Sequence, residues 1–224
     1  MTLEDIRREI EAAGLAFRGG FHPDTDDLAG ERAKTLVLIG AIGRENRAAF
    51  AASAEARDGR PDPLDRWSRR IIDGLAAKLG AHALFPFGGP PFLPFQRWAQ
   101  KAETLYPSPL GMLIHPVFGL WHSWRGALAF ETEFDLPPRD ARPSPCETCR
   151  DKPCLTACPV GAFSPAGYDV RACVSHLDSK EGADCMDEGC RARRACPIGT
   201  EYRYGADQAA FHMKAFRAAQ KRSA

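Results

Sequence analysis

The segment CETCRDKPCLTACP, residues 146–159, holds four of the eight cysteines of this 224-residue chain. The other four are Cys173, Cys185, Cys190 and Cys196, and no cysteine lies elsewhere. Each group of four ends in Cys-Pro. Two such groups are typical of a ferredoxin-type module, in which each [4Fe–4S] cluster needs four converging thiolates. We therefore predict two [4Fe–4S] clusters, with electron transfer as the chemistry of the chain.

The spacing predicts which cysteines share a cluster. In the bacterial run C-x2-C-x2-C-x3-C-P, the fourth cysteine ligates the other cluster. Here the middle gap has four residues, and the second group is looser, with gaps of eleven, four and five. We assign the first cluster to Cys146, Cys149, Cys154 and Cys196, and the second to Cys158, Cys173, Cys185 and Cys190.

Zinc and disulfides are the alternative roles for clustered cysteines. Structural zinc usually uses two Cys-x2-Cys or Cys/His pairs, and this chain has one. Disulfides need an oxidising compartment, and the first fifteen residues contain no apolar signal segment. Zinc is the stronger of these two alternatives.

The charge balance bears on the class of partner. The chain contains 30 Lys and Arg residues and 29 Asp and Glu residues, which gives a net charge of +1. No strong field favours nucleic acid or an anionic membrane, and no apolar run is long enough to span a bilayer. We expect a cytoplasmic protein whose partner is a redox protein or another low-potential donor. Neither a membrane nor a nucleic acid is expected as a partner.

Helix and strand signals alternate before the cysteines, which predicts an α/β N-terminal domain in an α+β chain. Thr2–Asp5 resembles a capping box, and Asp62-Pro63 is typical of a helix start. Strands are expected at 15–21, 35–39, 83–87, 112–115 and 126–131, and further helices at 46–57, 96–103 and 206–222. The cysteine module is expected to form loops. The predicted domains are 1–142, the cluster module 143–205 and a C-terminal helix 206–224.

Two aromatic stretches are candidate cofactor walls. Phe85–Phe95, FPFGGPPFLPF, combines four phenylalanines with two glycines, which suits a large flat ring. The residues alone favour a rigid loop that inserts its rings into the core. His115–Gly126 holds two histidines, two tryptophans and Arg125, and fits a tetrapyrrole or flavin pocket as well as a structural turn. Arg125 is suited to a phosphate or carboxylate.

Two other motifs are weaker. Gly40-x-x-Gly43 follows a strand as a phosphate loop does, but this motif alone has little specificity. Arg191–Arg194 lies inside the cysteine module and suits an acidic redox partner or RNA. A solvated surface is the simpler interpretation of that run.

The run from Ser108 to Phe163 resembles the epoxyqueuosine reductase and reductive dehalogenase group. It reads SPLGMLIHPVFGLWHSWRGALAF, then LPP, then CETCRDKPCLTACPVGAF. Its Ile-His-Pro-x-Phe-Gly-x-Trp segment, Ile114–Trp121, is also similar to the cobalamin-processing chaperone that removes upper ligands from vitamin B12. The resemblance covers about half the chain, roughly Pro86 to Pro197.

This resemblance implies a nitroreductase-like, corrinoid-binding domain followed by a two-cluster ferredoxin module that passes electrons to cobalt. Cobalamin is the first expected cofactor and FMN the second. The alternative is a plain electron carrier that docks a partner enzyme and binds no cobalamin. The residues expected around the corrinoid are Phe87, Phe92, His115, Phe118, Trp121 and Arg125.

One departure from the family concerns catalysis. Epoxyqueuosine reductases carry a catalytic aspartate shortly before a helix that ends like Ala99–Ala102. The matching position falls near Gly89, in a loop without acidic residues. Glu103 is the nearest acid downstream. The helical repeats that hold tRNA in those enzymes do not follow the cysteines. We therefore expect no reduction of epoxyqueuosine in tRNA and assign no catalytic residue.

Overall fold

The computed structural model describes residues 1–27 and 32–223. The chain divides into two compact units. The first contains Met1–Thr104 and His122–Ala141, and the second contains Leu105–Trp121 and Arg142–Ala224. The expected division at 142 and 205 differs in two places, because residues 105–121 and the C-terminal helix both belong to the second unit.

The secondary structure mixes helices with antiparallel strands, which confirms the α+β class. The strands are β1 (Ala16–Phe21), β2 (Thr35–Ile42), β3 (His82–Leu84), β4 (Tyr106–Pro107), β5 (Leu113–Ile114), β6 (His122–Phe130), β7 (Phe163–Ser164) and β8 (Gly167–Tyr168). The helices are α1 (Leu3–Ala12), α2 (Arg47–Ala51), α3 (Pro63–Leu79), α4 (Phe95–Ala102), α5 (Pro145–Thr148), α6 (Pro153–Thr156), α7 (Val170–Leu177), α8 (Ala183–Glu188), α9 (Arg191–Arg194) and α10 (Ala206–Ser223). No helix among the described residues is both long and apolar enough to cross a membrane.

The first unit is built on a four-stranded sheet in the order β1-β2-β6-β3. Strand β2 is central, and its run Leu36–Ile39 is completely buried. The pairing register between β2 and β6 shifts between Ile39 and Gly40. A Cβ atom at Gly40 would lie 1.9 Å from the Ser123 carbonyl oxygen. Gly40 is therefore needed for close strand pairing, and it lies within β2 rather than in a phosphate loop.

Helices α1 and α3 follow their sequence signals closely. Thr2 and Asp5 form the predicted capping box, and Ile6 and Ile10 are fully buried. Helix α3 begins at the predicted Pro63, although Asp62 makes no side-chain capping bond and has a φ of 50°. Along α3, Ile72 is fully buried and Ile71 is partly buried.

Several expected elements differ in length or kind. The helix expected at 46–57 ends at Ala51, and the strand expected at 83–87 ends at Leu84. Strand β6 begins at His122, because pairing with the long strand β2 extends it over residues expected in a turn. The cysteine module contains the short helices α5–α9, so the expectation of loops alone was wrong.

The second unit has its own apolar core, which includes residues far from the cysteines in sequence. Leu110, Ile114 and Leu120 pack with Ala192 and Cys196. The turn at Gly119 approaches the backbone so closely that a Cβ there would lie 2.0 Å from the Ile198 carbonyl oxygen. Gly119 also has a φ of 58°. The Leu105–Trp121 segment is thus a structural part of the cysteine unit.

Candidate iron–sulfur and cofactor sites

One set of four thiols interacts electrostatically, and it consists of Cys146, Cys149, Cys154 and Cys196. Burial raises the pKa of Cys146, and its neighbours Cys196, Cys154 and Cys149 raise it further. Burial also raises the pKa of Cys154, again with Cys196 and Cys149 contributing. These four residues come from both sequence motifs, since Cys196 lies 42 positions beyond Cys154.

The other four thiols form a second set. Burial is the main cause that raises the pKa of Cys173, with Cys158 and Cys185 adding to it. For Cys190 the causes that raise the pKa are burial and then Cys185 and Cys173. The two sets correspond to the two ligand groups assigned from the sequence. Iron ligation by these two sets is a proposal.

Backbone amides donate to sulfur in both sets. The Ala162 N–H donates to Cys158 Sγ at 3.3 Å. Hydrogen bonding from the backbone of Arg193 and Ala192 opposes the rise in the pKa of Cys190, and that from Ile198 opposes the rise in the pKa of Cys196. Such bonds stabilise thiolate charge, and in iron–sulfur proteins they help to set the reduction potential.

The spacing of the thiols bears on the kind of metal. In residues 1–27 and 32–223, no three His, Cys, Asp or Glu side chains lie close enough to hold one metal ion. Four thiolates on a zinc ion, with Zn–S bonds near 2.3 Å, would stand roughly 3.8 Å apart. A four-iron cluster is larger and separates its thiolates more widely. Among the described residues no single-ion site is formed, and iron in place of zinc is a proposal.

In the first unit, Phe87 and Arg125 lie together. The Arg125 guanidinium carbon is 5.5 Å from the Phe87 ring centroid, and the Phe85 and Phe87 centroids are 5.3 Å apart. Arg125 also pairs with the Asp65 carboxylate and donates to Ser68 Oγ at 2.9 Å. Its expected anionic partner is thus found within the protein.

The loop after Phe87 is partly accessible. Phe92 is 65% exposed, so the simpler interpretation that all its rings enter the core does not hold for this residue. A surface cavity of about 650 Å³ lies beside the loop. Its lining residues are Pro86, Leu93, Pro94, Phe95, Gln96, Arg97 and Gln100.

His115, Phe118 and Trp121 lie in the second unit, where each has internal partners. His115 Nδ1 accepts from the Val117 and Phe118 backbone amides at 3.0 and 3.2 Å. The His115 and Phe118 rings stack with centroids 4.2 Å apart. Trp121 contacts the Tyr204 ring, with centroids 5.3 Å apart. These contacts favour the structural-turn interpretation for this part of the stretch.

The run Arg191–Arg194 is largely engaged within the second unit. Arg191 Nε lies 2.6 Å from Asp184 Oδ2, and Arg194 pairs with the same carboxylate. The Arg193 guanidinium lies 4.4 Å from the Trp121 ring centroid, and Arg193 donates to the Leu120 carbonyl at 2.6 Å. Much of this positive charge serves intramolecular contacts.

A buried ion pair joins Arg18 to Glu103, and no local sequence pattern indicates it. Arg18 Nε and Nη2 each donate to a Glu103 oxygen at 2.6 Å, and the arginine side chain is completely buried. Arg18 also bonds the Ala41 carbonyl at 3.2 Å and approaches His122 Nδ1 at 3.3 Å. Burial raises the pKa of Glu103, and Arg18 opposes that rise. Its carboxylate is therefore occupied by a structural contact.

The fold is shared with epoxyqueuosine reductases. A selenomethionine-labelled epoxyqueuosine reductase matches with a TM-score of 0.52 and 16% identity, over 92% of this chain and 68% of the other. The Bacillus subtilis enzyme, with the loop of its catalytic aspartate swung out of the active site, matches with a TM-score of 0.51 and 15% identity, over 91% and 66%. A third structure, with an epoxyqueuosine-modified tRNA-Tyr stem loop, gives 0.50 and 16%, also over 91% and 66%.

These likenesses support the fold that the sequence resemblance implied. The chain spans about two thirds of the length of these reductases, 66% in two of the three. No family model and no curated protein matches it. The tRNA stem loop in one matched structure is a ligand of that protein.

Proposed function

We propose that this chain is an iron–sulfur oxidoreductase that passes electrons through two [4Fe–4S] clusters to a bound corrinoid. The main observation that supports this proposal is the electrostatic coupling of the eight thiols in two sets of four. Each set contains cysteines from both motifs. Interlocked motifs are expected of a two-cluster module. The fold shared with epoxyqueuosine reductases supports the same reading.

The protein residues have distinct roles in this proposal. The first set of thiolates would hold one cluster and the second set the other. The backbone amides of Ala162, Ala192 and Ile198 would stabilise the negative charge on the sulfur atoms. When bound, the clusters would supply one-electron transfer and the corrinoid the chemistry at cobalt. The donor would be a redox protein or another low-potential one-electron reductant, in the cytoplasm.

Cobalamin is the first proposed cofactor and FMN the second. Phe87 and Phe92 offer aromatic surface in the first unit, with Arg125 holding Phe87 in place. His115, Phe118 and Trp121 lie in the second unit and are proposed as corrinoid contacts on the family resemblance alone.

A plain electron carrier is the second candidate. The observation that favours it is that His115, Phe118 and Trp121 are used for packing within the cysteine unit. In that case the first unit would serve to dock a partner enzyme and would bind no cobalamin.

Anaerobic purification followed by metal analysis and cofactor titration tests both candidates. Two cubanes require about eight irons and eight acid-labile sulfides per chain, with a brown colour. Stoichiometric zinc without visible absorption would contradict the cluster proposal. Calorimetric titration with hydroxocobalamin and FMN then separates the candidates, because the plain carrier should give no heat with either.

A further inference from the structure

Two arginines lie against one phenylalanine pair in the first unit. The Arg69 guanidinium carbon, on α3, is 4.2 Å from the Phe85 ring centroid and 5.5 Å from that of Phe87. Arg125, on β6, lies 5.5 Å from the Phe87 centroid as well. Both contacts are close enough for cation–π attraction, which fixes the planes of the guanidinium groups.

The hydrogen-bonding capacity of these two arginines is used differently. Arg125 donates hydrogen bonds from Nη2 to the Asp65 carboxylate and from Nε to Ser68 Oγ. The Ser68 hydroxyl in turn donates to the Leu64 carbonyl oxygen at 2.7 Å. Arg69 is exposed, and within residues 1–27 and 32–223 it makes neither an ion pair nor a hydrogen bond. Ring stacking occupies only the face of its guanidinium, so the N–H edges can meet a ligand.

The start of the loop also leaves room around Arg69. Gly88 has a φ of 96°, and a Cβ there would lie 3.3 Å from Arg69 Nη2. A larger residue at this position would crowd the guanidinium. Gly88 therefore preserves the approach to a cation that is already oriented by two aromatic rings.

We propose that Arg69 binds the phosphate group of a cofactor whose flat ring contacts the neighbouring phenylalanines. This inference rests on the proposed function and specifies how that cofactor is recognised. Cobalamin carries a phosphodiester in its nucleotide loop, and FMN carries a terminal phosphate. A guanidinium offers paired N–H donors that match phosphate oxygens, and it keeps its charge at all relevant pH values.

Ligand pairs that differ in phosphate test this assignment. The full chain is titrated calorimetrically with hydroxocobalamin and with dihydroxocobinamide, which lacks the nucleotide loop, and likewise with FMN and riboflavin. Arg69→Gln should weaken binding of the phosphate-bearing member about tenfold and change binding of the other less than twofold. The matched control is Arg70→Gln, one position along α3, since Arg70 is already paired with Glu55 at 2.6 Å.

The outcomes separate this inference from the proposed function. If cobalamin or FMN binds the unaltered protein but Arg69→Gln weakens both members of a pair equally, or neither, the phosphate assignment is wrong and the cofactor proposal stands. If Arg69→Gln abolishes only the preference for hydroxocobalamin over dihydroxocobinamide, the phosphate is that of cobalamin. If it abolishes only the preference for FMN over riboflavin, the phosphate is that of FMN. If no member of either pair binds, both the phosphate assignment and the cofactor proposal are wrong, while the iron content still tests the clusters.

Discussion

Arg18 and Glu103 are 85 positions apart in the chain, yet they form a bidentate pair inside the first unit. The run AFRGGF of β1 does not reveal that its arginine is buried, because the partner arrives from the end of α4. Gly19 permits that approach, since a Cβ there would lie 2.6 Å from the Ala102 carbonyl oxygen. A nonlocal contact of this kind cannot be read from local pattern.

The pair should be sensitive to removal of one partner. Glu103→Gln leaves the Arg18 charge buried without a carboxylate, and we expect it to lower the free energy of unfolding by about 3–5 kcal/mol. Urea denaturation followed by tryptophan fluorescence measures this. Glu4→Gln, in a pair whose carboxylate side chain is 69% exposed, is the control and should cost less than about 1 kcal/mol. A loss from Glu103→Gln no greater than that of the control would contradict the prediction.

The cysteine assignment leads to a second prediction at single residues. Cys158→Ser should damage the cluster held by Cys173, Cys185 and Cys190, because Cys158 interacts with that set despite its place in the first motif. Cys196→Ser should instead damage the cluster held with Cys146. Electron paramagnetic resonance of each variant should show the partner cluster surviving. If Cys158→Ser and Cys146→Ser remove the same cluster, each motif closes on itself.

At the scale of secondary-structure elements, the signals that succeeded are local ones. The capping box of α1, the Asp-Pro start of α3 and the apolar run of β2 each act over a few residues. The sequence signals did not predict the features that depend on strand pairing or on tertiary packing. Strand β6 extends back to His122 because β2 pairs with it, and residues 105–121 join the cysteine unit because their apolar side chains pack there.

Of the residues expected around the cofactor, Phe87 and Arg125 lie together, and the role proposed for Arg69 had no signal in the sequence. A single arginine on an amphipathic helix is usually a solvated side chain. Its place over Phe85 depends on how α3 packs beside the segment after β3, which the pattern of α3 alone does not specify.

The connection between α2 and α3 predicts an effect of pH. The Arg70 side chain, through its hydrogen bond, is the main cause that lowers the pKa of Glu55 from 4.5 to about 2. The folded protein thus binds this proton less tightly than the unfolded chain, so the stabilisation is full above pH 4.5 and is lost as the pH falls towards 2. Glu55→Gln should lower the thermal midpoint at pH 6 and have little effect near pH 2.5.

Thermal unfolding at several pH values measures that difference. Glu4→Gln is again the control, because its exposed pair contributes little at any pH. A Glu55→Gln effect of equal size at pH 6 and pH 2.5 would show that the Arg70 contact does not control this part of the stability.

At the scale of the whole molecule, the chain passes between its two units three times, after Thr104, Trp121 and Ala141. The cysteine unit is therefore no simple C-terminal appendage. Its core uses Leu110, Ile114 and Leu120, which precede the last strand of the first unit in sequence. Composition predicted continuous domains. It did not predict that residues 105–121 belong to the second unit, because an inserted segment carries no linker signal of its own.

The last prediction concerns epoxyqueuosine, since the matched structures are reductases named for it. We expect this chain not to reduce epoxyqueuosine in tRNA, because general acid catalysis needs a proton donor within reach of the reacting oxygen. The Phe85–Phe95 loop contains no acid. A Cβ at Gly89 would lie 2.8 Å from the Pro91 backbone, so this loop conformation has no space for an aspartate there. Glu103 is held by Arg18.

The assay combines the anaerobic protein, a strong low-potential donor, added cobalamin and epoxyqueuosine-containing tRNA, with an epoxyqueuosine reductase as the positive control. Binding of the tRNA is measured separately at low and high salt, because phosphate contacts weaken steeply with salt and a chain at +1 offers few of them. Binding without turnover would agree with the missing acid while correcting the expectation about nucleic acid. Turnover would contradict the prediction that the lack of an acid in the Phe85–Phe95 loop prevents the reaction, since another group would then have to deliver the proton.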